Sequence, residues 1–241
     1  MRLEYNWDFK VATYDADKNR RLKLSSALRL QQDIGERHLE SLDLPYTKLY
    51  EAGMVFVIAR ARTVYTRPPL LSQPLRLTTW SRGTKGMLFN RCYSFTDENG
   101  GRLIDSQAGF ALMDPASHRL RRPSDFNFFY DRHDPDRAGF CPEPEKLLPG
   151  SEMLFAGSRP VRFSDLDFNG HMNNSVYADI ICDFIPGGMG ERLIKELQIN
   201  FIRETTEGDT LEIFAAERGG VVQMCAKKGE VTVFTAEISF F

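Results

Sequence analysis

The sequence predicts an α+β protein made of two similar halves, each reading as one strand, one helix and four further strands. Three observations carry that prediction: ten segments have strand character, two amphipathic helical segments occupy matching stations, and a polar string recurs at a fixed offset. Residues 2–13 alternate as a strand. The first helix starts near Ser25 and Ser26 as candidate caps and sets Ala27, Leu28, Ile34 and Leu42 at helical spacing before Pro45 ends it. Gln31 and His38 fall near the same stripe. Strands at 54–67, 73–82, 86–97 and 102–114 complete the first half, with Glu98-Asn99-Gly100-Gly101 as a tight turn.

Residues 121–151 hold Pro123, Pro135, Pro142, Pro144 and Pro149 around the charged cluster Asp131-Arg132-His133-Asp134, the composition of a connector. Phe126, Phe128, Phe129 and Tyr130 could pack back onto a sheet. The second half opens with a strand at 152–163. A shorter helix then runs from Asn173 and Asn174 to Pro186-Gly187-Gly188, with Tyr177, Ile180, Ile181 and Phe184 on one face. Strands at 194–204, 209–217, 220–227 and 231–240 follow, with Arg218-Gly219-Gly220 at a turn. The expected organisation is therefore a first unit at 1–120, a connector at 121–151 and a second unit at 152–241.

Composition narrows the function classes. Of 241 residues, 42% are hydrophobic and 27% charged, which is a globular balance rather than a disordered or fibrous one. A net charge of -2 gives no overall field for holding nucleic acid. The longest apolar run, Met54 to Ala59, is far below the ~20 residues of a membrane-spanning helix. The amino-terminal stretch has the pattern of neither a signal nor a transit peptide, so a cytoplasmic location is expected. Cys92, Cys141, Cys182 and Cys225 are too widely spaced for a zinc or redox motif and read as reduced thiols. No metal or cofactor is called for.

The halves align through their polar residues. Asp15, Asp17 and Asn19 precede Asp165, Asp167 and Asn169 by 150 positions, while Tyr65-Thr66-Arg67, Leu75 and Gly83 precede Phe201-Ile202-Arg203, Leu211 and Gly219 by 136. The helix regions absorb the difference. The densest reactive cluster is the run from Ser164 to Asn174. If that run is extended, Asp165, Asp167, Asn169 and His171 share one side at the mouth of the second helix, where N–H groups favour developing negative charge. Asp and Asn are also turn and cap formers, and a lone His is commonly structural, so residue types alone leave both readings open. His171 is matched by Arg21 in the first half, which suggests one working site per chain.

At these residues the sequence resembles the acyl-acyl carrier protein thioesterases, the plant plastid fatty-acid chain terminators and their bacterial relatives. SDLDFNGHMNNSVY is similar to the family's Asp-x-Asn-x-His signature, and NFIRETTEGDTL to the later segment that carries a glutamate. Weaker similarity runs from about residue 3 to residue 240. The resemblance implies two tandem hotdog units, each an antiparallel sheet wrapped around a central helix. It also implies catalytic residues Asp167, Asn169, His171 and Glu204. The first half has Pro68 at the position matching Glu204 and so lacks both His and Glu equivalents. Many plant members place a cysteine directly after that glutamate. Thr205 stands here instead, which favours direct attack by water activated by Glu204 or Asp167, with N–H groups near Met172 and Asn173 holding the oxyanion.

The implied activity is hydrolysis of fatty acyl-acyl carrier protein to free fatty acid and carrier protein. Leu28, Ile34, Met54 and Phe56 are candidate walls for the acyl tail, though a core role explains them equally well. Carrier protein is acidic, and Arg119, Arg121 and Arg122 form the most compact basic patch for docking it. Carrier protein is the expected partner, nucleic acid and membrane are not, and a homodimer is compatible with the sequence. Hydrolysis of coenzyme A esters is the nearest alternative. A hotdog dehydratase acting on β-hydroxyacyl thioesters is more distant, because no His-Phe-Pro-Gly type stretch is present. A non-catalytic acyl sensor would need an effector module for which no residues remain.

Overall fold

The computed structural model describes residues 3–128, 133, 134, 136–150 and 152–241. Phe129, Tyr130, Asp131, Arg132 and Pro135 of the connector lie outside the described residues. The first half comprises β1 (Glu4–Lys10), α1 (Leu24–Ser41), α2 (Tyr46–Glu51), β2 (Val55–Tyr65), β3 (Pro74–Lys85), β4 (Leu88–Thr96), β5 (Arg102–Met113) and β6 (Leu120–Arg121). The second comprises β7 (Leu154–Pro160), α3 (Asn174–Asp183), β8 (Ile194–Phe201), β9 (Thr210–Arg218), β10 (Val221–Lys228) and β11 (Val231–Phe240). All ten expected strands form.

Pairing is antiparallel throughout, in the order β1-β3-β4-β5-β2-β8-β11-β10-β9-β7, with β6 on β5. Each half thus repeats one strand order, and the halves meet edge to edge where β2 pairs β8 from Arg60↔Asn200 to Val64↔Glu196. Arg62 Nε lies 2.5 Å from Glu196 Oε1 across this seam. Helices α1 and α3 pack under the sheet and against each other. The architecture is a tandem hotdog.

Apolar positions at helical and alternate spacing account for the main core. Leu24, Ala27 and Ile34 of α1 join Tyr177, Ala178, Ile180 and Ile181 of α3 beneath Leu77, Phe95, Ile104, Leu197, Ile199, Ile213 and Phe234. Gln31 and His38 are buried on the α1 stripe and are satisfied there, because a buried polar group without a partner is costly. Gln31 Nε2 donates to Ser106 Oγ at 2.9 Å, and His38 Nδ1 lies 2.9 Å from Arg91 Nη1. A second apolar cluster joins Met54, Phe89 and Leu112 with Phe56, Phe110, Phe126 and Phe128. So Phe126 and Phe128 do return to the sheet. Ile34 belongs to the main core, whereas Met54 and Phe56 belong to this second cluster.

Two helix boundaries differ from expectation. Ser25 and Ser26 are buried first-turn residues of α1 rather than caps, and Lys23 occupies the N-cap position without a side-chain cap bond. Helix α1 stops at Ser41, before Pro45. Asp43 adopts φ 60° and the Leu44 N–H folds back onto the Leu39 carbonyl, while Pro45 caps the short α2. Pro45 therefore starts a helix as well as limiting one.

Gly157 sits at a bulge in β7 with φ +150°, and a β-carbon there would lie 2.7 Å from Phe184 Cε1. Gly157→Ala should cost about 1–3 kcal/mol, through overpacking at the end of α3 and backbone strain. A urea midpoint equal to that of the parent protein would show that this bulge relaxes freely.

Candidate active site

The Ser164–Asn174 run is not extended. Phe163–Asp165 forms a single 3₁₀ turn, and Leu166 bridges Met172 so that residues 167–171 close a tight turn. Asp167 N donates to His171 O at 2.8 Å, and Gly170 N to Asp167 O at 3.0 Å with φ 78° at Gly170. The Asp167 carboxylate completes it by accepting from Asn169 N at 2.8 Å and His171 N at 3.4 Å. The reason is local: a carboxylate one methylene from its backbone competes for nearby N–H groups better than a strand ladder does.

The first half builds the same frame. Asp17 Oδ1 accepts from Asn19 N and Arg21 N, both at 2.8 Å, Asp17 N donates to Arg21 O, and Leu22 N donates to Pro69 O as Met172 N does to Thr205 O. Frame and reactive groups are therefore separable, since the first copy has neither imidazole nor carboxylate at the matching positions.

Around the second copy, side chains from four chain segments converge. His171 Nε2 lies 3.4 Å from Glu204 Oε2, because His171 bridges Thr206 and so places the 203–206 turn alongside its own. His118, from the β5–β6 turn of the first half, brings Nδ1 to 3.6 Å from the same oxygen. The two imidazole rings stand 6.3 Å apart and nearly perpendicular. Tyr46, at the start of α2, donates from its hydroxyl to Asn169 Oδ1 at 2.9 Å. That bond leaves the Asn169 amide N–H groups as its donors toward a ligand. The Glu204 side chain is 42% exposed and His171 29%, so the site is open to water at a surface.

Other expectations separate from the site. The N–H groups of Met172 and Asn173 are already given to Thr205 O and Asp165 O, each at 2.8 Å, and are not free to hold an oxyanion. The same pairing that closes the turn occupies them. Asp165 faces away, in a two-pronged ion pair with Arg159 at 2.6 Å for both contacts. Thr205 is fully buried with its hydroxyl 3.2 Å from that of Tyr177. Burial pushes the thiols of Cys92, Cys141 and Cys182 up to about 12, so none of these three is a thiolate at neutral pH. Among the described residues no three His, Cys, Asp or Glu side chains converge as a metal site requires.

Two family models match the chain: the acyl-ACP thioesterase N-terminal domain over residues 2–126 and the acyl-ACP thioesterase C-terminal domain over residues 153–238. The chain belongs to the acyl-ACP thioesterase family. A chloroplastic palmitoyl-acyl carrier protein thioesterase of Arabidopsis thaliana is 21% identical over 95% of this chain, and oleoyl-acyl carrier protein thioesterase 1 of the same plant is 22% identical over 87%. The chain spans 59% and 63% of the length of those two relatives. An acyl-ACP thioesterase from Bacteroides thetaiotaomicron superimposes with a TM-score of 0.89 at 18% identity, covering 99% of this chain and 98% of its own. The 12:0-ACP thioesterase from Umbellularia californica gives 0.83 at 18%, covering 100% and 98%. Those likenesses confirm the fold.

In this acyl-ACP thioesterase family member the first-half counterpart of the site is occupied differently. Arg21 donates to the carbonyls of Glu191 and Arg192, and Asn19 to that of Gly190, which ties the first-half turn to the second half. A cavity of about 130 Å³ lies there, lined by Arg21, Tyr65, Pro68, Cys182 and Met189 among others. Of the three arginines expected to meet carrier protein, Arg119 and Arg122 are exposed, whereas Arg121 pairs with Asp114 at 2.6 Å.

Sequence reasoning missed His118 and Tyr46. Tyr46 follows Pro45, a helix-start signal, and His118 sits in the Asp114-Pro115 turn, so both had a local sign. Their contacts to Glu204 and Asn169 had none.

Proposed function

We propose that this chain hydrolyses the thioester of fatty acyl-acyl carrier protein, releasing free fatty acid and carrier protein and so ending chain elongation. The observation that carries this reading is the approach of His171 Nε2 to Glu204 Oε2, on the two segments that match the family's motifs. Glu204 is the base: it takes a proton from water as the oxygen attacks the thioester carbonyl carbon. The tetrahedral intermediate expels the thiolate, and the proton held by Glu204 passes to that sulfur, giving acid and thiol. His171 orients Glu204, and the Asn169 amide, held by Tyr46, donates to the carbonyl oxygen where charge develops. Asp167 builds the turn, as Asp17 does where no reaction occurs.

The apolar cluster of Met54, Phe56, Phe89 and Leu112 adjoins the His118 turn through β5 and supports an acyl tail running into the first half. At about 0.8 kcal/mol per buried methylene, apolar burial of the tail grades chain lengths rather than selecting one. Exposed Arg119, next to His118 on the β5–β6 turn, and Arg122, just past β6, are the docking cations for acidic carrier protein. The units are residues 1–120 and 152–241, joined by 121–151. Each site residue comes from one chain, so a homodimer adds surface rather than a reactive group. Four unpaired cysteines fit a reducing compartment such as the cytoplasm.

A ladder of acyl-carrier and acyl-coenzyme A thioesters, followed by thiol release, tests the reading. Faster hydrolysis of carrier esters is expected. Preference for coenzyme A esters would reassign the donor, and an enoyl product without thiol would move the chain to the dehydratases.

A further inference from the structure

We infer that His118 is a positioning residue for Glu204, so that the first half, which lacks its own imidazole and carboxylate at the matching site, completes the site of the second. This rests on the hydrolytic reading above and deepens it. His118 Nδ1 and His171 Nε2 approach one carboxylate oxygen, Oε2, from the first and second halves at 3.6 and 3.4 Å. A glutamate that is 42% exposed has three freely turning side-chain bonds, and one contact cannot fix its direction. Two imidazoles at one oxygen can, and they leave Oε1 as the oxygen that meets water.

The turn that presents His118 is built to hold it. Asp114 Oδ1 accepts from Ala116 N at 3.1 Å and Ser117 N at 2.9 Å, and its Oδ2 takes Arg121 Nη2 at 2.6 Å. Asp114 N donates to Arg119 O, and the His118 N–H donates to Asp114 O, each at 2.9 Å. His118 itself has φ 54°, a left-handed conformation that a β-carbon resists and that a surrounding clamp must impose. The side chain is 56% exposed, so what aims it at the carboxylate on the other half is this backbone clamp and not burial.

The left-handed φ also supplies clean variants. His118→Gly removes the imidazole without strain, and His118→Asn keeps an N–H at the place of Nδ1 in a residue that tolerates φ > 0. With acyl-carrier thioesters, His118→Gly should lower kcat roughly 10- to 100-fold with KM nearly unchanged, and His118→Asn should recover most of it. A substrate-free reading accompanies these: the His118 ring signals in NMR should move in Glu204→Gln. Wild-type kcat in His118→Gly, no recovery in His118→Asn, or unmoved ring signals each overturn the inference. Wild-type protein that releases no thiol from any ester sinks the hydrolytic reading itself, whereas an active wild type matched by His118→Gly sinks only this role.

Discussion

Glu204→Gln is expected to lower thioester hydrolysis about 10²–10⁴-fold, equivalent to roughly 3–5 kcal/mol of barrier, with the fold unchanged. Glutamine fills the same volume and still meets His171, but it cannot accept a proton from water. The informative comparison is Asp167→Asn. Asn Oδ1 can keep accepting from the N–H groups of Asn169 and His171, the bonds by which the carboxylate now closes the turn. Its effect should stay within about 10-fold, the scale of a weakened hydrogen bond. Single-turnover rates for both variants decide between the two acids, and a larger loss in Asp167→Asn would transfer the base to Asp167.

Arg159→Met is expected to destabilise the protein by about 3 kcal/mol, lowering Tm by roughly 6–12 °C. It leaves Asp165, 7% exposed and also bonded to the N–H of Arg162, as a buried carboxylate without its cation. The Arg159 guanidinium holds the Asp165 carboxyl below its ordinary value. A group depressed in the folded state contributes stability that is fully present above the unfolded carboxylate pKa, near 3.9, and lost as pH falls through the folded value. The stability gap between parent and variant should therefore be full at pH 7 and close in acid below about pH 4. A gap that is as wide at pH 3 as at pH 7 contradicts the assignment.

The strands were legible because alternation and turn glycines act locally. The duplication was legible because Asp17 and Asp167 stand in register and do the same work in their turns. What escaped was set by competition between local bonds or by contact over distance. Residues 164–171 alternate like a strand, yet the Asp167 side chain outbids a ladder partner. Ser25 and Ser26 look like caps, yet burial beneath the sheet draws them into the helix. The N–H groups of Met172 and Asn173 look available until the strand-like pairing with Thr205 and Asp165 is known. His118 could be read only as one of four histidines, since its meeting with Glu204 depends on the β2–β8 seam bringing the halves together.

The twice-written aspartate turn divides scaffold from reactivity. Its shape depends on backbone amides and one carboxylate, and the side chains at positions 21 and 171, or 68 and 204, are passengers on it. A lineage bearing such a fold can lose chemistry at one mouth without losing shape, and the idle mouth becomes free to drift toward new ligands while its twin keeps working.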